Sequence, residues 1–292
     1  MNRFSRRELL RGLLASGLLL AAGCKRAADD DNAASAAAPA ASEPAGRRLV
    51  HSFGMPQNPP AFHRIYAAGP PAEVLLHALA PERLLGWTTQ KPEPALALLG
   101  AAGRKLPVLG GINGRGRPVS LEELLSAKVD LVVDAGTVND GMLSTGEHTA
   151  KQLGVPYLLI DGRLDQAAEQ VRLLGKLLDS PHTGKLAALA EQALAFAIQR
   201  AAERRSAPPS VYLARGEDGL ETGRGGSIHT EVISMIGAKS VGDDLEGSGG
   251  LAKVSLERIL QWQPEWIVTQ DSKFARQVAA NPLWRGVEAV KN

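Results

Sequence analysis

The chain has one cysteine, Cys24, in 292 residues. A single thiol cannot form an internal disulfide, so a disulfide-stapled scaffold is excluded. Aromatic residues are scarce at 4%, which argues against a binding surface built from stacked rings. Charge of one sign is lacking too: the formal net charge of +2 is too even for a nucleic-acid groove or a polybasic membrane patch. His51, His63, His77, His148, His182 and His229 form no i, i+4 pair and no H-x-H. A bare Zn²⁺ or Mn²⁺ site therefore lacks its usual ligand spacing, and no cofactor is expected. The twelve-residue apolar run near the start, "GLLASGLLLAAG", is too short to cross a bilayer as a helix.

That run belongs to a leader. "SRRELLR" (Ser5 to Arg11) sets adjacent arginines ahead of it, the layout of an export signal. Arg6–Arg7 with Leu9 and Leu10 resembles a twin-arginine signal, with Leu where the pattern usually has Phe. The run closes on "LAAGC", which resembles a lipoprotein box with Ala21 in place of the more usual Leu. Residues 1–24 are expected to be a lipoprotein signal, with Cys24 the lipidation site. Lys25 is not the Asp that usually retains lipoproteins at the inner membrane, which leaves inner and outer membrane both open. Residues 25–46, "KRAADDDNAASAAAPAASEPAG", carry too little apolar surface to offset their ordering entropy. They are expected to be a flexible tether, its ends roughly 25 Å apart. About 245 residues remain, enough for two lobes with cores of their own.

This body alternates apolar strands with helical stretches. Expected strands are Arg64–Ala67, Leu84–Trp87, Leu131–Val133, Tyr157–Ile160, Val211–Ala214 and Trp266–Thr269. Strands without polar alternation are buried on both faces, which predicts an α/β fold with helix-covered parallel sheets. Between Asp165 and Arg205 the chain is almost all helix former, interrupted once at Ser180–Pro181. Its second half carries an apolar stripe at Leu186, Leu189, Ala190, Ala193 and Ala197, too rich in alanine for a coiled-coil seam. It is expected to pack as a strut along both halves. The organisation read from this is an N-terminal lobe at 47–182, an inter-lobe helix at 183–207 and a C-terminal lobe at 208–292.

One unit is written twice. "VSLEELLSAKVDLVV" begins at Val119 and "VSLERILQWQPEWIV" at Val254, with six identical positions and mostly like-for-like exchanges elsewhere, Asp130 for Glu265 among them. Each copy reads as a Ser N-cap (Ser120, Ser255), a short helix and an apolar strand. Chance similarity between two helix–strand units is the plain alternative to two related lobes.

With "RIYAAGPPAEVLLHALAPERLLGWT" before them and "GLETGRGGSIHTEVISMIGA" between them, these segments resemble, in their order, the class III substrate-binding proteins of ABC importers of ferric siderophores, haem and cobalamin. The resemblance covers about residues 62–292. It implies two β/α lobes with parallel sheets joined by one long helix, a ligand cleft between the lobes, and no enzymatic activity. It implies a monomeric periplasmic protein with no nucleic-acid partner, working with a permease dimer. It also implies a further strand and closing helices after "NPLWRGVEAVKN". In the family, the helix after each lobe's Gly-rich loop presents an acid to arginines on the two permease copies; the matching residues are Glu122 and Glu257. Each Glu also suits the first turn of a helix, where the dipole favours it.

Open α/β sheets bind ligands at the carboxyl ends of their strands. On that rule lobe one offers Gly69, Pro70, Thr88 to Gln90, Ile112, Asn113 and Gly136 to Asn139. Lobe two offers Arg215, Gly216, Gln270 and Asp271. The expected contacts are Gln90, Asn113, Thr137, Asn139, Arg215, Gln270 and Asp271, with Arg115, Arg117 and Lys273 near the rims. Gln90 and Arg215 match positions where a cobalamin binder of the family has aromatics. The Arg215 guanidinium can fork onto an oxyanion or form a surface ion pair with Glu217 or Asp218. Trp87 is expected at a cleft-side strand end. "GRGGSIH" (Gly223 to His229) reads either as an anion nest or as a structural turn into a helix, the role the resemblance implies. The donor-rich, cationic inventory favours a ferric siderophore or ferric hydroxy-carboxylate, then a corrinoid or haem, then molybdate. The rival of another class is a two-lobe hydrolase or glycosyltransferase, for which no nucleophile–base pair stands out.

Overall fold

The computed structural model describes residues 48–112, 116–247 and 250–291; the signal, the tether, Cys24, Asn113 and Arg115 lie outside them. The first half runs β1 (Val50–Phe53), β2 (Ile65–Ala67), α1 (Pro70–Leu79), the short α2 (Glu93–Leu96) and α3 (Ala101–Lys105), and α4 (Leu121–Ser126). It continues with β3 (Leu131–Gly136), α5 (Asp140–Leu153), β4 (Tyr157–Asp161) and α6 (Ala167–Leu177). The long helix α7 (Thr183–Ala202) leads to β5 (Ser210–Ala214), β6 (Glu221–Gly223), α8 (Glu231–Met235), β7 (Lys239–Ser240) and β8 (Leu251–Lys253). The last elements are α9 (Leu256–Trp262), β9 (Trp266–Thr269), α10 (Ser272–Gln277) and α11 (Glu288–Lys291). No helix among the described residues is long and apolar enough to cross a membrane.

Lobe one is a four-stranded sheet in the order β1-β4-β3-β2, parallel except for β1. β3 is buried at all six positions because both its faces are covered. On one face Leu131 and Val133 pack with Leu76 of α1 and Leu174 of α6. On the other, Val132 and Tyr66 pack with Leu124 of α4 and Leu153 of α5. Each such aliphatic side chain contributes about 1.5–3 kcal/mol on burial. Lobe two is a smaller parallel sheet, β7-β5-β9, beside a two-stranded ribbon of β6 and β8.

The repeated unit occupies the equivalent place in both lobes. Helix then strand, α4–β3 and α9–β9, lies parallel to the lobe's first parallel strand, β2 or β5. Ser120 caps α4 in a reciprocal capping box with Glu123; Ser255 caps α9, but Arg258 stands where Glu123 does and cannot return the bond. Both helices turn into their strands through a left-handed residue at the same repeat position, Lys128 (φ 52°) and Gln263 (φ 43°). The Asp130–Glu265 exchange then explains itself. Asp130 accepts the backbone N–H groups of His63 (2.7 Å) and Arg64 (3.0 Å) at the start of β2, and Glu265 accepts that of Ser210 (3.1 Å) at the start of β5. Hydrogen bonds of this charged kind are worth about 1.5–3 kcal/mol, toward the low end when solvated.

The likeness extends to residues that the repeat in sequence does not include. Tyr66 pairs with Val132, and Tyr212 with Ile267, the same step of the two ladders. Both phenols are fully buried, and each donates to a glycine carbonyl, Gly110 at 2.6 Å and Gly219 at 2.7 Å. Burial pushes both phenols well above their usual pKa of 10. Gly219 cannot be replaced: its φ is +71°, and a Cβ there would lie 2.3 Å from the Phe274 ring.

Three expectations are corrected. Leu84–Trp87 forms no strand, because Leu84 pairs with Ile65 while Trp87 pairs with Val108, and four residues change neighbours too quickly for a ladder. Trp266–Thr269 is a strand but is not buried on both faces. It is the sheet's edge, with Trp266 62% and Val268 49% exposed, while Ile267 packs inward. The long helix does not bury the expected stripe: Leu189 and Ala193 are exposed, and Ala187 is the residue it buries. α7 packs mainly along α6 and meets lobe two near its C-terminal end, where Ala201 lies close to Gly237.

Candidate functional site at the inter-lobe cleft

Parallel pairing points the carboxyl ends of β2, β3 and β4 one way, and the loops after them form lobe one's side of the cleft. The loop Thr88–Gln90 is set by a residue that sequence reasoning missed. Glu73, 2% exposed in the first turn of α1, accepts the Thr88 backbone N–H and the Lys91 ammonium, the latter at 2.6 Å. Trp87 is turned away from the cleft, contrary to expectation. Its indole N–H donates inward to the Gly103 carbonyl at 2.9 Å, its ring lies 5.4 Å from that of His77, and only 4% of it is exposed.

Three of the expected ligand contacts make hydrogen bonds within the protein. Asn139 caps α5, accepting the Met142 N–H (3.1 Å) and donating to the Thr137 carbonyl (3.2 Å). Asp271 caps α10, accepting the N–H groups of Lys273 (2.9 Å) and Phe274 (3.0 Å). The Thr137 hydroxyl accepts the backbone N–H of Ile228, from the other lobe, at 3.2 Å. Their residue types suit helix starts and turns as well as ligands, and the sequence does not separate the two uses.

Gln90 and Gln270 are exposed and Arg215 is half-buried; among the described residues none of their side chains makes a hydrogen bond or ion pair. The rival pairing for Arg215 is absent, for Glu217 pairs with Lys273 and Asp218 accepts the Leu220 N–H at 3.1 Å. Lys273 and Arg117, which pairs with Glu123, are thereby neutralised as rim cations.

Carboxylates at strand ends were missed as well, although "LVVDAG" and "LLIDG" show them. Asp134, near the end of β3, accepts the Tyr157 hydroxyl at 2.8 Å. Asp161 ends β4 with the Arg163 Nε 3.7 Å away. Both are buried within lobe one.

In lobe two, burial and the Arg215 charge hold the His229 imidazole below its ordinary pKa of 6.5. Burial pushes Glu231 above its ordinary 4.5, despite the Leu164 N–H that it accepts at 2.7 Å. Among the described residues no His, Cys, Asp or Glu cluster could hold a metal ion.

Glu122 and Glu257 are both exposed in the first turns of α4 and α9. Hydrogen bonds from its own backbone N–H and from Ser255 hold Glu257 below 4.5. Beside it lies an open groove of about 650 Å³, floored by Leu256, Phe274, Val278 and Trp284. This groove belongs to lobe two alone and is not the inter-lobe cleft.

The family model for periplasmic binding proteins matches residues 102–292. Among solved structures, an ABC transporter solute binding protein from Sulfurospirillum deleyianum is 26% identical, with a TM-score of 0.66 over 82% of this chain and 74% of that one. The periplasmic vitamin B12 binding protein BtuF of Vibrio cholerae is 22% identical, with a TM-score of 0.61 over 79% and 85%. A protein of an ABC-type Fe³⁺-hydroxamate transport system from Saccharomonospora viridis is 19% identical, with a TM-score of 0.60 over 80% and 83%. No curated protein matches the chain significantly in sequence.

The low pKa of His229 makes stability depend on pH. As pH falls below 6.5 the unfolded chain takes up this proton before the folded one, so stability drops until the folded imidazole titrates too. Urea unfolding at pH 7.5 and 5.5 should show the wild type losing more stability than His229→Gln over that interval. Equal losses would mean that the imidazole is solvated.

Proposed function

This chain belongs to the periplasmic binding protein family and is the periplasmic substrate-binding component of an ABC transporter, and we propose that its cargo is an anionic ferric chelate of the siderophore or hydroxy-carboxylate type. The observation that carries this reading is Arg215, a half-buried guanidinium at the carboxyl end of β5 with no partner of its own among the described residues. Partial burial raises what a bidentate bond to a carboxylate or hydroxamate oxygen contributes. Gln90 and Gln270 supply further donors, and Asn113, which lies outside the described residues, stays in the proposed set. With Trp87 turned inward, the expected cleft set lacks the broad aromatic wall on which a flat macrocycle would stack. Corrinoid or haem therefore ranks second and molybdate third. Proteins of this family serve transport rather than catalysis.

Glu122 and Glu257 are proposed as the docking charges for the two permease copies. Their support is equivalent placement: both follow a capping serine at the start of a repeated helix, and both are exposed. Cys24 is proposed as the lipid anchor and residues 25–46 as the tether, a reading that rests on the leader in the sequence.

Titration of the purified protein with ferric citrate should give an affinity about 10–100-fold weaker for Arg215→Ala than for wild type, the range for a hydrogen bond to a charged group. Tight cobalamin or haem binding with no response to ferric chelates would overturn the ordering. Exposed ion pairs contribute only ~0–1 kcal/mol, so single alanines at the docking acids are expected to be tolerated. The double reversal Glu122→Arg with Glu257→Arg should abolish uptake in cells while ferric citrate affinity stays within about twofold; normal uptake would remove docking from these residues. Cys24→Ala should move the protein into the soluble envelope fraction with binding intact. Continued membrane fractionation would refute the anchor.

A further inference from the structure

Helix α7 is not the lobes' only connection. Three contacts join the segment Ile228–Glu231 of lobe two to loops of lobe one. The Ile228 N–H donates to the Thr137 hydroxyl at 3.2 Å, and the Leu164 N–H donates to Glu231 Oε2 at 2.7 Å. Between them, Ile228 seats against Gly162, where an added Cβ would come within 3.2 Å of its Cγ2. All three lobe-one partners follow β3 or β4, the two inner strands of the order β1-β4-β3-β2; β4 is the last parallel strand on its side, because β1 runs antiparallel to it.

The two sides of the cleft differ accordingly. Thr88–Gln90 follows the segment paired outside β2, since Leu84 pairs with Ile65, and the Ile112 N–H is bonded to the Ala68 carbonyl at the end of β2. On lobe two, α8 carries Glu231 and packs beside β7, whereas Gln270 follows the opposite edge strand, β9. The unengaged donors Gln90 and Gln270 thus belong to the β2–β9 side, with Arg215 after the central strand β5.

We propose that Ile228 and Glu231 form a clamp closing the β3–β4 side of the cleft, so that a ligand enters and leaves only on the β2–β9 side. The clamp makes "GRGGSIHTE" an element that sets aperture rather than an anion nest. It gives Thr137 a structural duty in place of ligand contact. It stands on lobe geometry and holds whatever the cargo is.

Amide hydrogen exchange on the full chain without added ligand tests it. In the wild type the Ile228 and Leu164 amides should exchange well below the rate of an unprotected loop. Thr137→Val should speed exchange at Ile228, and Glu231→Ala at Leu164, each by about two- to tenfold for one lost hydrogen bond. Gly162→Val, which pushes against Ile228, should speed both together. The Leu213 amide in β5 should stay protected throughout, which separates opening of the clamp from unfolding. Unprotected Ile228 and Leu164 amides in the wild type would overturn the clamp, as would variants that leave both rates unchanged with Leu213 protected. Loss of ferric citrate binding bears on the cargo and not on this result.

Discussion

The structure depends on two carboxylates that hold the start of one strand beside the start of another. Asp130 grips the backbone ahead of β2, and Glu265 grips the first residue of β5. A parallel pair has no hairpin to set its register, so the side chain leading into one strand does it by capturing the free N–H groups of the other. Once register is set, Tyr66 and Tyr212 fall at the same step of their ladders and reach their glycine carbonyls. The carboxyl ends of the strands then come level, and the loops that follow form one surface per lobe.

The two lobes diverge where burial diverges. In lobe one the repeated strand is central, and helices on both faces give it six buried positions. In lobe two the same unit ends in an edge strand with alternate residues exposed. The first helix keeps the full capping box while the second, with Arg258 in place of Glu123, keeps half of it. Conservation of the unit across such different surroundings points to the exposed acid that both copies share, and that is why Glu122 and Glu257 carry the docking proposal.

At the cleft, most polar side chains are committed to the protein itself. Asn139 and Asp271 start helices, Asp134 and Asp161 lie buried at strand ends, and Thr137 and Glu231 bridge the lobes. A group already hydrogen-bonded has little to gain from a ligand. The proposed recognition therefore falls to a few uncommitted groups, with Arg215 the one that is both charged and half-buried. Preorganisation by the committed residues is the counterpart: Glu73 holds the Thr88–Gln90 loop in place without touching its outer face.

Local order and broad class were legible in the chain alone. Apolar strands without polar alternation predicted covered parallel sheets, because burial on both faces is the condition that permits such runs. Serines ahead of amphipathic turns marked both helix starts, because a cap is a bond between neighbours in sequence. The break at Ser180–Pro181 falls between α6 and α7 for the same local reason. Tertiary structure alone decided which polar residues remain free. Trp87 could have faced either way until the Gly103 carbonyl, 16 residues on, took its N–H. Leu189 could have been buried until the rotation of α7 on α6 placed Ala187 inward. Ile228 meets Thr137 across 91 residues and Glu231 meets Leu164 across 67. Contacts of that separation leave no periodicity in a sequence, because they join segments that only the tertiary structure brings together.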